Sequence, residues 1–331
     1  SHYIWAKKMN KKAAAIVGGI LVLGLGVFGF TKLNSGSQNQ QTQQEQSAEQ
    51  TTVQITDANG EKAELKKNPK RVVVFDYGVA DILKNLGVDA VVGLPKNGKM
   101  PEILSNYSDD KYTNVGSLKE TDFEAVESLN PDLIIIGGRQ AEDIDSFKEI
   151  APTVNLAVDG QDYMNSFKTV VTDLGKLFDK EDEAKKAIDE IEAKIEKVNK
   201  TVKEKGLTAS VVMANEGNIS AFSAKSRYGL IYNGLGFAEV DKNIDDSTHG
   251  QQVSFEYFLE NKSDYVFVVD RGAVTGKGEA ASKLFDNEVM NKTEVAKNGN
   301  IVYLNSVIWY TMTGGIESTN QMIDEIADAV K

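Results

Sequence analysis

The chain has 331 residues, 41% of them apolar, which is enough for one large or two medium packed domains and excludes disorder as a whole. Its 37 basic residues against 49 acidic ones leave a net charge of -12, which argues against a nucleic-acid partner and means that any bound anion needs a local positive site. With no cysteine, the chain has no disulfides, thiolate metal sites, thiol catalysis or thioether lipidation at a bacterial lipobox.

In chain order, the first element is an uncharged run of apolar residues and glycine over residues 13–30, preceded by Lys7, Lys8, Lys11 and Lys12. It reads as a transmembrane anchor or signal segment, with residues 1–12 on the cytoplasmic side and the rest exported by the positive-inside rule. The run lies at the short edge of what spans a bilayer, and no clear A-x-A cleavage site follows, so an uncleaved anchor is favoured. Residues 31–52 contain seven glutamines and almost no core-forming residue, the composition of a flexible linker. Residues 1–52 hold five lysines against two glutamates, a net +3, so the remainder carries -15.

From residue 53 on, two alternating runs around Asn59-Gly60 predict a hairpin. Buried-type strands at RVVVF (71–75), AVVG (90–93) and LIII (133–136) alternate with helical patterns. This is an α/β arrangement with a mostly parallel sheet. Thr121 and Glu124 are spaced as a capping box before one of these helices. Between Glu181 and Lys205 the apolar residues Ala184, Ile188, Ile191, Ile195, Val198 and Val202 share one helical face, and Gly206 supplies the stop. A second strand and helix series follows. The parse is therefore an N-terminal lobe over 53–180, an inter-lobe helix over 181–205 and a C-terminal lobe over 206–331.

An internal repeat supports the two lobes. Phe123, Glu124, Asp132 and Arg139 recur as Phe255, Glu256, Asp264 and Arg271 at a constant offset. Each repeated arginine sits where its strand should end, the end at which open parallel sheets bind ligands, so facing lobes would bring both arginines into one cleft.

The candidate site residues come from scarcity and place. Beyond residue 52 there are 28 lysines but only four arginines. Arg71 precedes a buried strand and reads as structural. Arg139, Arg227 and Arg271 lie in short polar turns, where a planar multi-donor cation suits clustered anionic oxygens, or pairs with a carboxylate such as Asp270. His249 is the only histidine after His2, in a polar loop before the second repeat. Trp309 and Tyr310 follow the strand IVYL and form either part of a cleft or a packed aromatic turn. A tyrosinate can bind ferric iron, but one histidine and one tyrosine are too few for a bare metal ion, so a metal would arrive in a chelator. No G-x-S-x-G, P-loop or H-E-x-x-H is present, which argues against an enzyme.

The strings KNPKRVVVFDYG, VGSLKETDFEAVESLNPDLIII, KSRYGLI, STHG, DYVFVVDRG and IWYTMTGG, from residue 53 to the end, resemble the ferric catecholate siderophore-binding proteins of bacterial iron importers, of petrobactin and enterobactin type. The resemblance implies two α/β lobes bridged by one long helix. It implies that Arg139, Arg227 and Arg271 surround the catecholate oxygens, with Trp309 packing nearby, and that His249 and Tyr310 complete iron coordination. It also implies that Glu124 and Glu256 dock onto an ABC transporter permease. There would be no intrinsic cofactor, since ferric iron is bound as a siderophore complex. The protein would be a monomer at the extracellular face of the cell membrane. Gram-positive relatives carry a lipobox cysteine, and its lack here leaves tethering to the hydrophobic segment. Haem or a hydroxamate siderophore as ligand, and siderophore esterase activity, stand as the alternative functions.

Overall fold

A computed structural model describes residues 51–331. The anchor, the cytoplasmic N-terminus and nearly all of the linker expected from the sequence lie outside the described residues. Among the described residues no helix is long and apolar enough to cross a membrane.

The hairpin forms as expected: β1 (Thr52–Thr56) pairs antiparallel with β2 (Lys62–Lys66). Gly60, at φ 80°, turns the chain, and the Asp57 carboxylate accepts the Asn59 and Glu61 N–H groups. The first lobe is built on a five-stranded parallel sheet in the order β5-β4-β3-β6-β7, from β3 (Val72–Val74), β4 (Val91–Leu94), β5 (Thr113–Asn114), β6 (Leu133–Ile136) and β7 (Thr153–Asn155). Its central strands, VVV and LIII, are buried throughout because helices cover both faces.

The second sheet has the order β11-β9-β8-β12-β13, with β8 (Thr208–Asn215), β9 (Asn218–Phe222), β10 (Ala238–Glu239, beside β8), β11 (Gln251–Val253), β12 (Tyr265–Asp270) and β13 (Ile301–Tyr303). β8, β12 and β13 run parallel, while β9 is antiparallel to both β8 and β11. The fold is thus two α/β lobes with mostly parallel sheets joined by a long helix.

That helix spans Glu181–Lys205, and Gly206 ends it in the left-handed conformation at φ 59°. Its buried residues are the six expected from the periodicity. The capping box is not what starts the helix at Phe123–Ser128: the N-cap is Asp122, whose side chain accepts from the Ala125 N–H. Asp122 is a residue nearer the helix than Thr121 and brings an ionised acceptor to the same unpaired N–H groups.

The repeat has a structural basis. Asp132 accepts from the Lys70 and Arg71 N–H groups, just ahead of β3, and Asp264 accepts from the N–H and hydroxyl of Thr208, the first residue of β8. In each lobe the aspartate before one central strand fastens the start of its parallel neighbour. The two copies therefore present the far ends of their strands, with Arg139 and Arg271, in the same way.

The lobes share one continuous apolar core. It runs from Val72, Val74 and Ile135 through Leu83, Phe167, Ile191 and Ile323 to Val211, Phe267 and Val269. The closing helix, Ile316–Ala329, crosses the boundary: buried Asp81, on the Tyr77–Asn85 helix of the first lobe, accepts the N–H groups of Glu317 at 3.0 Å and Ser318 at 2.8 Å. Burial pushes the Asp81 carboxyl up against these bonds, which pull it down. Tyr163 adds a second tie, bonding Thr319 and accepting from the Gly314 N–H, each at 2.7 Å.

Candidate functional site

Helix Ser306–Thr311 follows β13 and carries Trp309 and Tyr310. Asn305 caps it through the Ile308 N–H, and Glu325 of the closing helix holds both the Asn305 N–H at 2.9 Å and the Trp309 indole N–H at 3.0 Å. Successive helical residues point about 100° apart. Trp309 therefore enters the core with no exposed surface, while Tyr310 is half-buried on another side. This corrects the expectation that Trp309 lines the ligand cleft; its contact is with Glu325.

Tyr310 is the point on which the three arginines converge. Arg139, from the turn after β6, and Arg227, from the turn after β9, each donate through Nη2 to the Tyr310 carbonyl at 2.7 Å. Arg271, directly after β12, donates through Nε to the Tyr310 hydroxyl at 3.0 Å and through Nη1 to Asn215 Oδ1 at 2.9 Å. The three guanidinium carbons stand 5.1, 4.8 and 5.8 Å from the Tyr310 ring centre, within cation–π range. These bonds go to a carbonyl, a phenol and an amide rather than to carboxylates, so the charge of the cluster is directed at the space around it.

The phenol registers this field. Burial raises the Tyr310 hydroxyl, but the hydrogen bond from Arg271 and the charges of Arg139, Arg271 and Arg227 outweigh it, and the net shift is downward. Tyr228 lies fully buried with its ring 5.1 Å from the Arg227 guanidinium, and burial pushes it up to about 12. Of two phenols beside Arg227, one is shifted down and the other up. Asp76 adds an acid. It caps the Tyr77–Asn85 helix through the Val79 N–H, and burial pushes its carboxyl up to about 6 against the pull of that bond and of Arg139. A hollow of about 30 Å³, room for about one water, is lined in part by Asp76, Gly137, Arg139 and Thr313.

His249 is not brought to this cluster. It stands exposed on the loop before the outermost strand β11, its N–H bonded to Ser247 Oγ, and its imidazole makes no hydrogen bond or ion pair among the described residues. Glu124 and Glu256 are both exposed at the starts of matching short helices, one in each lobe. Among the described residues no group of three or more His, Cys, Asp or Glu side chains converges on a point. Sequence reasoning misses Asn215, which orients Arg271, and Asp76, which lies inside a recognised string without a role.

The chain matches the periplasmic binding protein family over residues 72–308. It belongs to that family. Its relatives include the petrobactin-binding protein YclQ of Bacillus subtilis, 48% identical over 285 residues, covering 86% of this chain and 89% of that protein. The crystal structure of YclQ superposes with a TM-score of 0.81 at 45% identity, covering 85% of this chain and 99% of that one. The ferric-anguibactin-binding protein FatB of Vibrio anguillarum is 30% identical over 79% of this chain and 83% of its own length. The catecholate-siderophore binding protein VctP of Vibrio cholerae gives a TM-score of 0.79 at 34% identity, over 84% of this chain and 99% of that one. Family membership places the chain among binding proteins rather than enzymes.

Proposed function

We propose that this periplasmic binding protein captures a ferric catecholate siderophore, of the petrobactin kind, between its lobes and delivers it to the permease of an ABC importer. The observation that carries the reading is the convergence of Arg139, Arg227 and Arg271 on Tyr310. A ferric catecholate is a polyanion, and a domain of this net charge repels it everywhere except where fixed cations gather. Three guanidinium groups, those of Arg227 and Arg271 partly removed from water and that of Arg139 exposed, supply that place, and each charged contact contributes roughly 1.5–3 kcal/mol.

Tyr310, with its ionisation eased by the arginines, is the protein atom offered to iron where the siderophore leaves a coordination position open. His249 contributes less, since it stands outside the cluster. The names of YclQ and VctP support a catecholate over haem or a hydroxamate. Glu124 and Glu256, exposed at matching places on the two lobes, present carboxylates to basic pockets of the permease. The apolar segment 13–30 keeps the domain, as a monomer, at the extracellular face of the membrane. Titration of the protein with ferric petrobactin, ferric hydroxamates and haem, followed by quenching of Trp309, tests the ligand class: saturable quenching by the catecholate and not by the others supports it, and a haem Soret shift without catecholate quenching overturns it.

A further inference from the structure

The backbone that carries Arg227 in the second lobe abuts a loop of the first. Gly160 lies in the 156–162 loop that follows β7, and Gly229 lies two residues beyond Arg227. A Cβ built on Gly160 would lie 2.5 Å from the Arg227 Cα and 2.6 Å from its carbonyl carbon and oxygen; one on Gly229 would lie 2.5 Å from the Gly160 oxygen. The two backbones therefore meet with no side chain between them. Asn233 fastens the contact, its amide donating to the Gln161 carbonyl at 3.0 Å and the Ala224 carbonyl at 2.7 Å. The same loop reaches the chain beyond Tyr310, where a Cβ on Gly314 would lie 3.2 Å from that of Val158.

We propose that the Gly160–Gly229 seam, with Asn233, is a positioning device for Arg227: it sets how far the guanidinium extends over Tyr310 and thus the strength of siderophore capture. The inference rests on the proposed function. An added methyl at Gly160 meets backbone, not a movable side-chain tip, and must open the seam by about 1 Å to reach an ordinary contact of about 3.5 Å. Moving Arg227 that far takes its 2.7 Å bond to the Tyr310 carbonyl beyond hydrogen-bond range. Asn233→Ala removes the fastening without adding bulk, so it probes the same role if Gly160→Ala disturbs folding.

The test is a double-mutant cycle. Gly160→Ala, Asn233→Ala, Arg227→Ala and Arg271→Ala are made singly, and the first two are also combined with each arginine variant; binding of ferric petrobactin is titrated in all. Gly160→Ala is expected to weaken binding about tenfold and Asn233→Ala by less. Both defects should vanish in the Arg227→Ala background and persist in the Arg271→Ala background. Full persistence in the Arg227→Ala background, or wild-type binding by both seam variants, overturns the proposal while leaving the functional reading intact. No binding by the wild-type protein overturns the functional reading itself.

Discussion

Arg139 and Arg227, one from each lobe, donate to the same acceptor, the Tyr310 carbonyl, at the same distance of 2.7 Å. A single backbone oxygen thus gathers two like charges that would otherwise repel. The cluster is assembled by the protein's own dipole, so capture of an anion requires little rearrangement of the charges that attract it.

The cluster should dominate affinity. Replacing Arg139 or Arg271 by alanine is expected to weaken ferric siderophore binding by about ten- to a hundredfold, the equivalent of roughly 1.5–3 kcal/mol for a charge-assisted contact. His249→Ala should cost less. Titrations of the three single variants check the order, and a larger defect in the histidine variant reverses it.

The Tyr310 phenol should ionise below the ordinary range near 10. A spectrophotometric titration of the wild-type protein minus that of Tyr310→Phe isolates its step. Arg271→Ala removes both the hydrogen bond and one charge, leaving burial less opposed, so the step should move upward. A step that stays in place in that variant contradicts the assigned cause.

Asp76 gives a pH dependence of opposite kind. Its carboxyl is raised in the folded state to about 6 from an ordinary value near 3.8. A raised carboxyl binds its proton more tightly in the fold, so its contribution is present below the unfolded value and is lost as pH rises from about 4 through 6. Asp76→Asn keeps a capping oxygen for the Val79 N–H and removes the half-buried charge. Thermal melts should show the variant gaining relative to wild type at pH 7–8 and not at pH 4.

Trp309 should report on the site without forming it. Trp309→Phe is expected to abolish the quenching response of Trp309, leaving only the emission of Trp5, while calorimetric affinity stays within about twofold. The variant should lose stability of about 1–3 kcal/mol, because Glu325 is left with an unmet acceptor in a half-buried place. A large loss of affinity would return the indole to the cleft.

Much of this was legible in the sequence, and the limits have physical causes. The long helix announced itself through one-sided periodicity ending at Gly206, and the repeat announced the paired lobes because Asp132 and Asp264 do the same local work at the start of a neighbouring strand. Scarcity of arginine pointed to the cluster. What the sequence could not show is direction and distance. Trp309 and Tyr310 are neighbours in the chain, yet a helical step of about 100° sends one to the core and one to the arginines. The contact of Gly160 with Gly229 joins two segments that no local pattern relates, and Asn215 looks like any strand-end amide until Arg271 folds onto it.

The most direct test of the central claim is an equilibrium titration of ferric petrobactin into the wild-type protein and into the variant lacking Arg139, Arg227 and Arg271 together, with circular dichroism confirming that both are folded. The account predicts saturable binding by the wild type and its loss, by a thousandfold or about 4 kcal/mol at the least, in the triple variant. Equal affinity in the two folded proteins would contradict it.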